Sequence, residues 1–81
     1  MMATIHLSLE QRRFADGARE VEAEAPTVGK LIVRLEDLYP GLGPELRECA
    51  VAIDGQIVNE PEYEPVSPAA EVYFVPKAAG G

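Results

Sequence analysis

The sequence is poor in several residue types that particular protein classes require. Cys49 is the single cysteine and His6 the single histidine, so the chain offers neither an internal disulfide nor a multi-histidine metal site. No apolar run approaches the ~20 residues of a membrane-spanning helix. The first residues lack the basic and apolar blocks of a secretion signal. We therefore expect a protein of the reducing cytoplasm that binds no metal.

Basic residues are also scarce. Seven lysines and arginines stand against fourteen acidic residues, giving a net charge of −7, and no basic cluster exceeds Arg12-Arg13. Nucleic-acid affinity comes largely from neutralised phosphates, so nucleic acid is a poor partner, and an anionic membrane is disfavoured too. The acidity suits a protein partner with a basic face. It also maintains solubility, and composition alone does not separate these two roles.

The length is that of one domain. A chain of 81 residues buries roughly 60–65 % of its unfolded surface, which makes one modest core but no additional enclosed catalytic cavity. We expect a globular domain over residues 1–76, a flexible tail over 77–81, and a monomer in the free state.

Two strands are predicted near the start of the chain. Apolar residues alternate with polar ones from Ala3 to Leu9 and again from Arg19 to Ala25, which is the period of a half-buried strand. Asp16-Gly17 lies between them and favours a turn. The pattern therefore predicts an antiparallel hairpin.

A helix is predicted next. Thr27 is a suitable N-cap, and Pro40-Gly41 ends the helical pattern. The apolar residues between them recur at the spacing of one helical face: Val28, Leu31, Ile32, Leu35, Leu38 and Tyr39.

Short strands around an irregular segment are predicted for the rest. The pattern indicates a helical turn at 44–47, strands at 49–53, 56–58 and 71–75, a hairpin turn at 54–55 and an irregular crossing over 59–70. These elements fit an α+β class β-grasp fold, in which one main helix lies across a mixed sheet of four or five strands. The first and last strands must then be parallel neighbours, with the helix in a right-handed crossover.

Three stretches of the sequence carry a family resemblance. They are residues 35–42, which end in Tyr-Pro-Gly-Leu, the hairpin at 51–58, and residues 71–81, which run from Glu-Val through an apolar strand and a proline to Gly80-Gly81. Together they resemble the ubiquitin-like sulfur carriers of molybdopterin, thiamine and related biosynthesis, the MoaD/ThiS type. One departure is Ala69-Ala70, where that family has Gly-Asp. Glycine at this turn would allow a positive φ.

The resemblance implies a function for the chain end. A ubiquitin-activating-type partner enzyme would use ATP to adenylate the carboxylate of Gly81, and sulfur would then replace AMP to leave a thiocarboxylate. The thiocarboxylate would donate its sulfur to an acceptor, a synthase subunit. On this reading the chain is a protein co-substrate, not an enzyme, and it binds no cofactor of its own. Gly80 and Gly81 carry no side chain that would clash in a narrow channel.

Strand parity predicts a docking surface. If Val72 and Phe74 face the helix, Tyr73 and Val75 face away from it. The same parity divides the strand at 49–53 into core-facing and outward-facing pairs: Val51 with Ile53, and Ala50 with Ala52. Including the tail, the expected partner contacts are Ala52, Tyr73, Val75, Lys77, Ala78 and Ala79.

Two other functions use the same features. A protein modifier would join Gly81 to a lysine through an isopeptide bond, and a β-grasp binding subunit would use its surface alone. The sequence leaves the sulfur acceptor open among molybdopterin, thiazole, cysteine, tRNA and specialised sulfur metabolite pathways. Cys49 is interpreted as a small structural hydrophobe, and the glutamates at 20, 22 and 24 as a solvated strand face.

Overall fold

The computed structural model describes residues 2–77. Within this range the chain forms β1 (Ala3–His6), α1 (Leu9–Arg12), β2 (Glu20–Ala23), α2 (Val28–Leu38), α3 (Leu42–Arg47), β3 (Cys49–Ile53), β4 (Gln56–Val58) and β5 (Glu71–Pro76). A membrane-crossing helix, long and apolar enough to span a bilayer, does not occur in this part of the chain.

The five strands form one mixed sheet in the order β2-β1-β5-β3-β4. β1 runs antiparallel to β2 and parallel to β5, and β3 runs antiparallel to both β5 and β4. The β-grasp fold and the parallel pairing of the first and last strands are therefore confirmed. β5 is the central strand, so the last strand of the chain is hydrogen-bonded on both sides.

The core lies between the helices and one face of the sheet. Its largest fully buried side chains come from strands and helices alike: Ile5, Val28, Leu31, Leu35, Leu42, Leu46, Val51 and Val72. The predicted helical face is wrong at Leu38, which is 56 % exposed. Leu38 is the last residue of α2, and the chain then turns so that Tyr39 packs against the core instead.

α1 replaces the end of the predicted first strand. Leu9 was expected on the buried face of that strand, but it begins the helix and is 79 % exposed. The cause is a capping box: the Ser8 hydroxyl accepts a hydrogen bond from the Gln11 amide, and the Gln11 side chain accepts one from the Ser8 amide. These two hydrogen bonds to backbone amides therefore favour a helix at this point, although the apolar alternation favours a strand.

The irregular segment 59–70 runs along the start of α2. The carbonyls of Glu64 and Glu62 accept hydrogen bonds from the amides of Val28 (2.9 Å) and Gly29 (2.8 Å). These amides belong to the first turn of α2, where no carbonyl within the helix is available to them. A Cβ at Gly29 would lie 2.8 Å from the Glu62 oxygen, so the close approach requires glycine.

The turn into β5 is left-handed at Ala69. Its φ is +66°, so Ala69 adopts the conformation that a glycine here would allow, in a region that costs a non-glycine residue roughly 1–2 kcal/mol. The Asp16-Gly17 and Asp54-Gly55 turns also have positive φ, which confirms both predicted turns.

Candidate functional site

β5 sends its side chains alternately to the two faces of the sheet. Val72 and Phe74 are 0 % and 3 % exposed and lie in the core. Tyr73 is 47 % exposed on the opposite face, and Val75, two residues on, is half-buried. The predicted parity of this strand is therefore confirmed. We call the face that carries Tyr73 the outer face.

One residue from each strand forms a row across the outer face. The register of the strand pairs aligns them in the order Glu20, His6, Tyr73, Ala52 and Ile57. We call this set the outer row. Ile57 is 69 % exposed, and it was not among the predicted contacts because a strand of three residues has too little alternation to assign its faces.

His6 organises the middle of the outer row. Its imidazole stacks on the Tyr73 ring, with centroids 4.5 Å apart and ring planes 11° apart. Its Nε2 lies 2.5 Å from Oε1 of Glu71, and its Nδ1 lies 3.6 Å from Oε2 of Glu20. The stack and the adjacent carboxylates restrict the orientation of the Tyr73 ring. This cluster depends on the register of β1 against β5, which a sequence pattern does not contain.

The outer face is acidic around an apolar middle. Across the described residues 2–77, none of the five strands contains a lysine or an arginine. The strands do contribute three exposed glutamates to this face: Glu20, Glu22 and Glu71. The strands therefore supply acidic and no basic side chains around the predicted apolar contacts, which gives this face the chemistry to attract a basic partner surface.

Ala50 differs from the prediction. It pairs with Val75, so parity places it on the outer face, yet it is 0 % exposed. It also lies outside the main core cluster. A methyl side chain is short enough to be covered by the larger side chains around it. Ala50 therefore adds no surface to the predicted patch, whereas Ala52 remains half-buried.

Val51 and Ile53 are on the core side as predicted. Val51 is fully buried, and Ile53 is half-buried but packs against the core cluster. The pairing of β3 with β5 therefore places Ala52 beside Tyr73 on the outer face, and two of the predicted contacts are neighbours.

Lys77 is the last described residue. Its Nζ lies 3.1 Å from Oε2 of Glu60, and both side chains are exposed, so the ion pair adds little to stability. Its expected contact with a partner protein stays a prediction. The other tail residues named from the sequence lie outside the described residues: Ala78, Ala79, Gly80 and Gly81.

Cys49 lies at the start of β3, opposite Pro76. Its Sγ is 3.5 Å from the Glu45 carbonyl oxygen, and the Gln11 side-chain amide approaches the same sulfur at 3.9 Å. Partial burial, followed by the nearby charge of Glu45, raises the pKa of the Cys49 thiol. A raised pKa leaves little thiolate at neutral pH, which agrees with a structural role.

Known proteins of the same fold were found by comparison. The model of the ThiS family matches residues 5–81. A chain of the Amycolatopsis orientalis BexX/CysO complex is similar with a TM-score of 0.84 and 23 % identity, over 98 % of this chain and 99 % of that one. CysO of Mycobacterium tuberculosis has a TM-score of 0.82 and 18 % identity, over 94 % and 99 %. SAMP1 of Haloferax volcanii has a TM-score of 0.74 and 20 % identity, over the whole of both chains. A search of curated proteins gave no match.

Proposed function

The chain belongs to the ThiS family of ubiquitin-like sulfur carriers, and we propose that it carries sulfur as a thiocarboxylate on Gly81. Carriers of this kind are small protein substrates, so the catalytic groups belong to their partners. The observation that carries the proposal is the family match over residues 5–81, which includes Gly80-Gly81.

The chemistry requires activation of the Gly81 carboxylate. A carboxylate is a poor electrophile because its leaving group would be an oxide. Attack of its oxygen on the α-phosphorus of ATP expels pyrophosphate and forms an acyl-adenylate. A hydrosulfide ion then attacks the acyl carbon, the bond to the phosphate oxygen breaks, and AMP leaves, so that a thiocarboxylate remains. If the donor is a persulfide, the first product is an acyl disulfide, and a second thiol must attack the donor's sulfur in that bond to release the thiocarboxylate and leave a disulfide. In this proposal the partner binds the ATP, and both proteins share the cytoplasm.

The position of β5 favours this use of the tail. β5 is paired with β1 up to Tyr73 and with β3 up to Pro76, so Lys77 follows directly on a residue that is paired within the sheet. The four residues after Lys77 reach at most about 14 Å when fully extended. A partner that docks on the outer face must therefore hold its nucleotide within that distance of Lys77. We propose that Ala52, Tyr73 and Val75 provide the docking contacts.

A second protein must then accept the sulfur. We propose a synthase subunit for this step, because a thiocarboxylate is a sulfur donor only when an acceptor substrate is held beside it. The BexX/CysO complex is a precedent for a chain of this fold bound to another protein.

The test of the proposal is activation by a purified adenylating enzyme from the same organism. We expect ATP–pyrophosphate exchange that depends on the carrier, and, after addition of sulfide, the mass increase of one oxygen-to-sulfur replacement. Deleting Gly81 should abolish both signals without changing the melting temperature. A chain extended by one alanine keeps both glycines but moves the carboxylate off them, and it should be inactive as well. Normal exchange by the Gly81-deleted chain would overturn the proposal.

A substitution at Val75 tests the docking contacts separately. Val75→Asp places a charge in the proposed interface, which should weaken docking by about 2 kcal/mol, or roughly 30-fold in KM for the carrier. The maximal rate at saturation should be retained, because Gly81 is unchanged. A lower unfolding midpoint with an unchanged KM would assign Val75 to the packing of the domain instead.

A further inference from the structure

His6 lies between two carboxylates on the outer face. Its Nε2 is 2.5 Å from Oε1 of Glu71, and its Nδ1 is 3.6 Å from Oε2 of Glu20. The two glutamates belong to β5 and β2, the strands on either side of β1. The side chain of His6 is 22 % exposed, whereas those of Glu20 and Glu71 are 60 % and 55 % exposed. One imidazole therefore contacts a carboxylate from each neighbouring strand.

The protonated form of His6 suits both contacts, and the neutral form suits only one. A carboxylate accepts hydrogen bonds, and a neutral imidazole has an N–H group on one ring nitrogen and a lone pair on the other. With its proton on Nε2, neutral His6 donates to Glu71, but the Nδ1 lone pair then faces an oxygen of Glu20, and two acceptors repel each other. The imidazolium has an N–H group on both nitrogens. Loss of its second proton should therefore release Glu20 from the ring.

The titratable groups that face His6 come from the two strands paired with β1, which are β2 and β5. On the outer face these strands carry Glu20, Glu22, Glu71 and Tyr73. Glu22 lies opposite Thr4, two residues along β2 from Glu20. Because no strand in the described range 2–77 contains a lysine or an arginine, protonated His6 is the one cation that the strands of this range place on the outer face.

The same imidazole holds the ring of Tyr73. The two rings are stacked, with centroids 4.5 Å apart and planes 11° apart, and Tyr73 is 47 % exposed in the middle of the outer row. A cation over an aromatic face is attracted by the ring quadrupole, so the imidazolium stacks more strongly than the neutral ring. The proton on His6 therefore links the positions of Tyr73 and Glu20.

We propose that His6 is a proton-dependent positioning residue, whose imidazolium holds Tyr73 and Glu20 in the arrangement that the docking protein binds. An exposed aromatic side chain that is already ordered loses less conformational entropy when a partner covers it. Docking should therefore be tighter when His6 is protonated. Histidine changes charge between about pH 5 and 8, so the effect falls in an accessible range. The inference rests on the proposed function only in taking the adenylating enzyme as the docking protein.

The isolated chain tests the link between His6 and Tyr73. His6 is the single histidine, so its ring protons give one titration curve by NMR. Three-bond couplings across χ1 of Tyr73 should show a single rotamer below the midpoint of that curve and an average of rotamers above it. Couplings that do not change with pH would overturn the inference.

Substitutions then separate the bridge from the general charge of the face. Glu20→Gln should move the His6 midpoint to lower pH by about 0.2–0.7 pH unit, the range of an exposed ion pair. Glu22→Gln removes the same charge from the same strand, and it should move the midpoint less than half as far. Equal shifts in the two variants would overturn the contact between Glu20 and His6.

Two substitutions of His6 fix its charge. An arginine is charged at every pH and its planar guanidinium stacks on aromatic rings, so His6→Arg should give the single Tyr73 rotamer throughout the titration. His6→Gln is neutral and cannot stack in this way, so it should give the averaged couplings throughout. Unfolding midpoints equal to that of the unsubstituted chain verify that both variants are folded. Averaged couplings in a folded His6→Arg chain would contradict the inference.

The adenylating enzyme provides the second readout. The ratio of KM for the His6→Gln chain to KM for the unsubstituted chain cancels the pH dependence of the enzyme itself. This ratio should fall about threefold between about pH 5.5 and pH 8.5, with kcat alike for the two chains. A ratio that is independent of pH would overturn the inference. Absence of any activation of the unsubstituted chain would instead refute the proposed function, and the coupling of Tyr73 to His6 would still be decided by NMR.

Discussion

The side-chain amide of Gln11 donates a 3.1 Å hydrogen bond to the carbonyl oxygen of Phe74. The pairing of β1 with β5 ends at His6 and Tyr73, so this carbonyl lies one residue beyond the last paired position. Gln11 is 5 % exposed, and the capping box of α1 fixes its side chain. α1 therefore supplies a donor to β5 where β1 has ended.

Replacing Gln11 should destabilise the domain. Gln11→Ala leaves the buried Phe74 carbonyl without this donor and removes half of the capping box, so we expect a loss of about 1–3 kcal/mol in the free energy of unfolding. Urea denaturation measures it. Gln56→Ala, at an exposed position in β4, should cost less than about 0.5 kcal/mol. Equal losses in the two variants would show that the Gln11 bond contributes nothing specific.

The reactivity of Cys49 should depend on its neighbours. Burial and the Glu45 charge raise the pKa of the thiol, and Lys77 lowers it. Alkylation by iodoacetamide should therefore be slower in the folded chain than in urea at neutral pH. Glu45→Gln should move the pH–rate profile to lower pH, and Lys77→Ala should move it to higher pH. If Glu45→Gln left the profile in place, the electrostatic part of this explanation would be wrong.

Ala69→Gly should stabilise the domain. The left-handed φ of Ala69 costs an alanine roughly 1–2 kcal/mol, while glycine adds roughly 0.4–1 kcal/mol of unfolded-state entropy. The expected balance is a gain of about 0.5–1 kcal/mol, visible as a higher midpoint in thermal unfolding. Ala70→Gly is the matched control, because Ala70 is buried and its φ is not positive. It should lower the midpoint.

The Glu36–Arg47 pair should contribute to stability in a pH-dependent way. Two hydrogen bonds, of 2.8 and 3.2 Å, join the carboxylate on α2 to the guanidinium on α3. The hydrogen bonds from Arg47 lower the pKa of Glu36 below its ordinary value of 4.5. A lowered folded-state pKa gives stability that is present above the unfolded-state value and lost as the pH falls through the folded-state value.

The advantage of the unsubstituted chain over Glu36→Gln should thus be seen at pH 7 and fade below pH 4.5. Chemical denaturation at several pH values measures it. In an Arg47→Gln background the difference at pH 7 should shrink, since the partner charge is gone. A difference that is independent of pH would attribute the effect to packing between the two helices.

Much of the fold was predictable because its elements are locally consistent. The alternation over 71–75 and the apolar face from Val28 to Leu35 each extend over enough residues to define a period. α1 has only four residues, too few for a period, and its signal is the Ser8-to-Gln11 capping pattern. Leu38 satisfied the helical period, but α2 ends at that residue, and sequence patterns locate such boundaries poorly.

The candidate site was likewise predictable only in part. Tyr73 and Val75 followed from the parity of one strand, whereas Ile57 and His6 entered the outer row only through the register between strands distant in the sequence. Gly80 and Gly81 were identified from the family resemblance, and no local pattern would distinguish them from an ordinary chain end.

The parallel pairing of β1 and β5 also determines how the domain responds to force. When the two ends of the described chain are pulled apart, β1 is drawn from its first residue and β5 from its last, in opposite directions. The hydrogen bonds between the two strands are then loaded together in shear. The comparison variant carries Cys49→Ala and Glu10→Cys, so that force is applied between residue 10 and the end of β5. Because β1 and β5 are parallel, both attachment points then lie at the same end of the strand pair, and the hydrogen bonds open one after another. Single-molecule pulling should give a markedly higher unfolding force in the first geometry, so a partner that strains the tail meets a mechanically resistant domain.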